Sequence, residues 1–107
     1  AFMKVNPRFQ KGNYERNIKR TDELRAMASD MGVSTSGLAI AWLLAKGDHV
    51  VPIPGTRSVE HLDELASGVD LELSSSDIEA IEKVLPVGWC HGDRYSADQW
   101  QGPERYC

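Results

Sequence analysis

The stretch LAIAWLLA, residues 38–45, limits what this 107-residue chain can fold into more than any other part of it. Ser34 or Thr35 can cap a helix ahead of it and Gly47 can close one behind it, so the spacing predicts a helix over 35–46. The body of that helix is apolar almost all round, whereas a surface helix carries an apolar stripe on one face. Such a helix has to be covered on most sides, and a small domain has little material with which to do so. Directly after it comes HVVPI, which predicts a strand over 50–53. The run is short, β-branched and apolar, in the manner of a strand covered on both faces. Pro52 inside it removes a ladder donor. A single strand cannot satisfy its own backbone groups. Its sheet is therefore expected either in another chain or in a structure of which these residues are a part.

The remaining elements follow from periodicity and punctuation. Ile18, Leu24, Met27, Ala28 and Met31 recur at three- and four-residue steps, predicting a helix over 14–31 that Gly32 ends. Residues 1–12 read as polar and irregular, with Pro7 and Gly12 as breakers. Ser58 is the expected N-cap of a helix over 59–67, stopped by Gly68. VDLELS alternates and reads as extended. Ser74 and Asp77 form a capping-box pattern that opens a helix over 75–85, with Leu73, Ile78, Ile81 and Leu85 as apolar positions. Pro86 bars its continuation. The tail, 86–107, is irregular and aromatic-rich. Trp42, in mid-helix among leucines, is expected to be buried, and Trp100 to lie outside that layer.

Several function classes are excluded or disfavoured. The net charge is −4, against the basic face of a nucleic-acid module. A helix-turn-helix reading of residues 18–46 has only two adjacent helices behind it. No apolar run approaches the length of a membrane span. No signal peptide is apparent, since a basic region followed by an apolar one is lacking. The opening AFMKVNPRF has no initiator Met, which is expected of a chain processed or cut from something longer. Cys90 and Cys107 do not make a disulfide framework and read as reduced thiols of a cytoplasmic protein. Cys90, His91, Asp93 and Cys107 match no usual zinc spacing.

The most informative turn is VPIPGTRSVEHLDE, residues 51–64. It places Arg57 just before a helix N-terminus, where the macrodipole favours an anion. One resolution is that the anion belongs to a ligand. Gly55 permits close backbone approach. Thr56 offers a hydroxyl and an N–H, and Arg57 a planar donor fork suited to phosphate. Arg57 as a solvated loop residue, His61 as a surface residue and Glu64 as its helical neighbour's partner are the alternative readings of the same positions.

LAIAWLLAKGDHVVPIPGTRSVEHLDE, together with NPRFQKGNYERN and GDRYSADQW, resembles the C-terminal segment of the aldo-keto reductases, in particular microbial and fungal members. The resemblance covers nearly the whole chain. It implies an α/β fold, the last third of a (β/α)8 barrel: mostly helical, with one barrel strand. It also implies NADPH as cofactor, a small aldehyde or ketone as substrate, and a cytoplasmic oxidoreductase as the parent protein. In the family the segment matching Gly55, Thr56 and Arg57 cradles the adenosine 2'-phosphate, with Ser58 at the start of the following helix. His61 and Glu64 match positions facing the adenosine. Leu65 departs from the family's frequent Asn, which weakens the expectation for adenine. The family's catalytic Tyr, Lys, Asp and His match nothing in this chain. Whether the chain alone is an enzyme is open on this reading. The alternative is a stand-alone helical interaction module or truncated pseudo-enzyme that pairs with another chain, or with itself, through exposed core surfaces.

Overall fold

The computed structural model describes residues 2–100, with side chains from residue 4 onward. The chain runs as a short helix α1 (Phe2–Val5), a 3-10 turn (Pro7–Phe9), α2 (Asn13–Asp30), α3 (Thr35–Leu44), α4 (Val59–Ser67), α5 (Ser75–Val84) and a second 3-10 turn (Ala97–Gln99). Among the described residues there is no strand.

Local chemistry accounts for the helix ends. The Glu15 carboxylate accepts from the Gly12 amide at the start of α2. Ser34 Oγ accepts from the Gly37 amide at 2.9 Å and opens α3. Ser74 and Asp77 exchange capping bonds at α5: Asp77 Oδ2 accepts from the Ser74 amide at 2.9 Å, and Ser74 Oγ from the Asp77 amide at 3.2 Å. This reciprocal arrangement satisfies two donors that have no intrahelical partner. Gly32, at φ 70, ends the turn after α2 in a conformation that costs glycine little.

Leu24, Ala28, Leu38 and Ile81 form the buried core, joining α2, α3 and α5. Met27, Met31, Trp42, Leu73 and Leu85 pack around them. The α3–α4 contact is closer. A Cβ on Gly68 would stand 2.2 Å from the Gly37 carbonyl oxygen, and one on Gly37 would stand 2.9 Å from the Glu64 carbonyl oxygen. Only glycines let these two backbones meet.

Four expectations are corrected. The segment 50–53 is not a strand here. Strands are defined by a ladder, no other described segment pairs with it, and Pro52 and Pro54 have no N–H to give. Val51 and Ile53 are instead 79% and 92% exposed. Trp42 is half-buried, because α3 is covered by α2 and α5 on one side and by α4 on another, with Ala39 left in solvent. Ile18 is exposed, lying beyond the reach of α3 and α5 along α2. Residues 1–12 are not irregular throughout: Asn6 Oδ1 accepts from the Arg8 amide at 3.0 Å and caps the first 3-10 turn. Trp100 lies outside the core and meets Tyr95 edge-on at 5.3 Å.

The two ends of the described chain are joined by buried asparagines. Asn17 Nδ2 donates to the Arg8 and His91 carbonyls at 3.1 and 2.9 Å, and its Oδ1 accepts from the His91 amide at 2.7 Å. Asn6 Nδ2 donates to the Arg94 carbonyl at 2.6 Å.

Gly68→Ala is expected to destabilise the fold by about 1–3 kcal/mol, since the obstructing atom is backbone and cannot turn aside. A urea titration reads this as a lowered midpoint, and an unchanged midpoint would show that α3 and α4 separate freely. The Asp77 carboxyl is held below its ordinary value of 3.8, first by the Ser74 hydroxyl and then by the Ser74 amide. A depressed folded-state value means that its contribution to stability is present above pH ~3.8 and is lost as pH falls through the lower folded value. In an NMR titration, Ser74→Ala is expected to move the Asp77 midpoint up toward the ordinary value.

Candidate functional site

Between α3 and α4 the chain passes through Pro52, Pro54 and Gly55 and turns at Thr56–Ser58 before α4 begins. Within that turn the Thr56 hydroxyl accepts from the Ser58 amide at 3.2 Å and donates to the Ser58 carbonyl at the same distance. Ser58, in extended conformation, caps α4: its Oγ accepts from the His61 amide at 3.4 Å. The remaining amides of the first turn have no intrahelical acceptor and face outward from the N-terminus.

An open cavity of about 1080 Å³ lies at this turn. Gly55, Thr56, Arg57, Ser58, His61 and Glu64, the residues singled out from sequence, all line it. Ser36, from the first turn of α3, and Leu65 complete the wall. The structure thus brings the six positions together around one space.

Each contributes differently. No protein atom stands within 4 Å of where a Cβ on Gly55 would sit, so the backbone there is open to a ligand. Arg57 is exposed and takes no part in the ion pairs Arg20–Glu23, Arg25–Asp22 and Lys46–Glu82. Glu64 is half-buried and turned toward α3. Its Oε2 accepts from Ser36 Oγ at 3.3 Å, and its main-chain carbonyl accepts from Ser34 Oγ at 3.2 Å and Ser67 Oγ at 2.7 Å. Thr56 spends its hydroxyl inside the turn, which leaves its amide as the donor available to a ligand. Leu65 supplies an apolar surface where a hydrogen-bonding amide was the alternative.

This donor set fits an anion, and among anions a phosphate. A planar guanidinium fork, an open glycine backbone and helix-start amides meet at one place. Opposing it are the α4 carboxylates Glu60, Asp63 and Glu64, of which Glu64 alone lines the cavity.

Sequence reasoning missed Ser36. Nothing in its neighbours marks it, because its role depends on how closely α3 approaches α4. The Cys90–His91–Asp93 cluster gathers no metal site among the described residues, and Cys107 lies outside them. No helix among the described residues is long and apolar enough to cross a membrane.

Residues 2–86 match the sequence profile of the family described as "Aldo/keto reductase family". The chain is similar to "Probable aldo-keto reductase 1" of Glycine max, at 34% identity over 93 residues that cover 87% of this chain and 27% of the relative. It is also similar to "Aldo-keto reductase yakc [NADP(+)]" of Schizosaccharomyces pombe, at 32% identity over 94 residues covering 88% of this chain and 28% of the relative. The chain therefore spans about a quarter of the length of the curated relatives it matches. No solved structure matches it. The match runs through the whole of α1 to α5, and the chain belongs to the aldo/keto reductase family.

Proposed function

We propose that this chain is the NADPH adenosine-phosphate-binding part of an aldo-keto reductase that reduces aldehydes or ketones to alcohols. The observation that carries the reading is Arg57: an exposed guanidinium at the N-terminus of α4, in the wall of an open cavity, outside the ion pairs of the described residues. Arg57, the Thr56 amide, the Ser58 hydroxyl and the Gly55 backbone would hold the 2'-phosphate. His61 and Glu64 would face the ribose and base, and Leu65 would lie under an apolar edge of the adenosine. The name of the Schizosaccharomyces pombe relative includes NADP(+), which supports the phosphate-bearing cofactor.

Bound there, NADPH supplies a hydride to the carbonyl. The chain's own residues bind and orient the far end of the cofactor. They take no part in the hydride transfer, because the family's catalytic Tyr, Lys, Asp and His have no counterparts here. The purified 107-residue chain is on this reading inert toward carbonyls.

The exposed segment around Val51 and Ile53 belongs to the same reading. It becomes the eighth strand of the (β/α)8 barrel when neighbouring strands are supplied, and both faces then lose their exposure. The protein is on this reading cytoplasmic, with no nucleic-acid or membrane partner.

A second reading has its own observation. Val51, Ile53, Val59 and Val69 are all more than half exposed, and such a surface also suits a stand-alone module that pairs with another chain or itself. A monomer by size exclusion with light scattering would count against it.

The test of the main reading is Arg57→Ala in the intact protein. NADPH and NADH differ only by the 2'-phosphate, so the variant is expected to weaken NADPH far more. A charge-assisted contact is worth about 1.5–3 kcal/mol, which corresponds to roughly ten- to a hundredfold in the ratio of the two dissociation constants. Arg57→Lys should lose part of that, since a point charge lacks the fork. An unchanged ratio would make Arg57 a loop residue and remove the basis of the proposal.

A further inference from the structure

Three hydroxyls from two helices converge on Glu64. Ser34 and Ser67 donate to its main-chain carbonyl at 3.2 and 2.7 Å, and Ser36 donates to its carboxylate at 3.3 Å. Ser36 Oγ also stands 3.3 Å from Ser34 Oγ, but the ionised carboxylate is the stronger acceptor for its single proton and can only accept. Ser34 and Ser67 hold the backbone, so the carboxylate is the one part of Glu64 that depends on Ser36 for its place. Glu64 and Arg57 line the same cavity, yet they form no ion pair. A carboxylate and a guanidinium sharing an open cavity attract each other. If they met, the guanidinium would be neutralised before any ligand arrived.

We infer that Ser36 is a positioning residue: by holding the Glu64 carboxylate against the first turn of α3, it keeps Arg57 uncompensated and so sets the site's preference for a phosphomonoester over a bare ribose hydroxyl. The inference rests on the phosphate reading of Arg57 proposed above. Ser36 acts through Glu64. Its position follows from the glycine contact between α3 and α4, which brings the start of α3 within hydrogen-bond reach of the middle of α4.

The experiment measures NADPH and NADH dissociation constants by fluorescence titration of the intact protein and its variants. Ser36→Ala is expected to lower the preference for NADPH about two- to fivefold, the size of an exposed ion pair now competing for Arg57. Adding Glu64→Gln to Ser36→Ala is expected to restore the preference, because a neutral amide does not compensate a guanidinium. Ser36→Thr keeps the hydroxyl and should keep the preference. A purely structural role for Ser36 predicts no rescue by Glu64→Gln, and an unrescued loss overturns the inference. An unchanged ratio in Ser36→Ala, with Arg57→Ala still collapsing it, overturns the role of Ser36 and leaves the phosphate site standing. An unchanged ratio in Arg57→Ala, or no binding of either cofactor to the unmodified protein, overturns both.

Discussion

The contact of Gly37 with Gly68 decides how near α3 and α4 can lie, and the candidate site depends on that distance. A methyl group at Gly68 would sit on the Gly37 carbonyl at 2.2 Å. Without the contact the helices would stand at an ordinary separation set by side chains. The Ser34 and Ser36 hydroxyls would then lose Glu64, and the cavity would lose its α3 wall. Two residues with no side chain thus determine which side chains can meet.

The rest of the fold is held by two unlike devices. One is a small apolar cluster, Leu24, Ala28, Leu38 and Ile81, that ties α2, α3 and α5 together. The other is polar. Asn6 and Asn17 are nearly fully buried and bind carbonyls and an amide of the tail around His91 and Arg94. Buried amides cost free energy unless satisfied, and the three bonds of Asn17 satisfy it on both of its atoms. Gly92, at φ 88, lets the tail come close, since a Cβ there would stand 2.7 Å from the Pro7 carbonyl oxygen. These devices leave Val51 and Ile53 exposed; under the proposed function, a neighbouring part of a barrel would cover them.

The electrostatics of the site turn on the separation of two charges. A cation at a helix N-terminus opposes the macrodipole; Glu60 in the first turn of α4 favours that end, but Arg57 forms no ion pair among the described residues. Glu64 is the lining residue best placed to offset it, and it is turned toward α3. Under the proposed function this unfavourable free state is the source of selectivity, because an arriving phosphate meets a guanidinium and helix-start amides that are not already paired.

The sequence by itself determined the helices and the turn. Their signals are local: caps at Ser34, Ser58 and Ser74, a stop at Pro86, apolar steps along α2, and GTRS ahead of α4. Such features depend on residues a few positions apart, so they can be read without knowing the fold. Of the six candidate residues, Gly55, Thr56, Arg57 and Ser58 are marked by that turn itself, whereas His61 and Glu64 stood out only through the family resemblance. Tertiary structure decided the rest. The segment 50–53 has the composition of a strand, but a ladder requires a partner distant in sequence, and none of the described residues supplies one. Ile18 shares the periodicity of Leu24 and Ala28, yet it is exposed, while at that end of α2 it is the neighbouring Asn17 that is buried, against the first 3-10 turn and the tail. Ser36 and Asn17 carry no local mark at all. Each acts on a group far along the chain, 28 and 74 positions away, and only the packing of helices on one another brings those groups within a hydrogen bond.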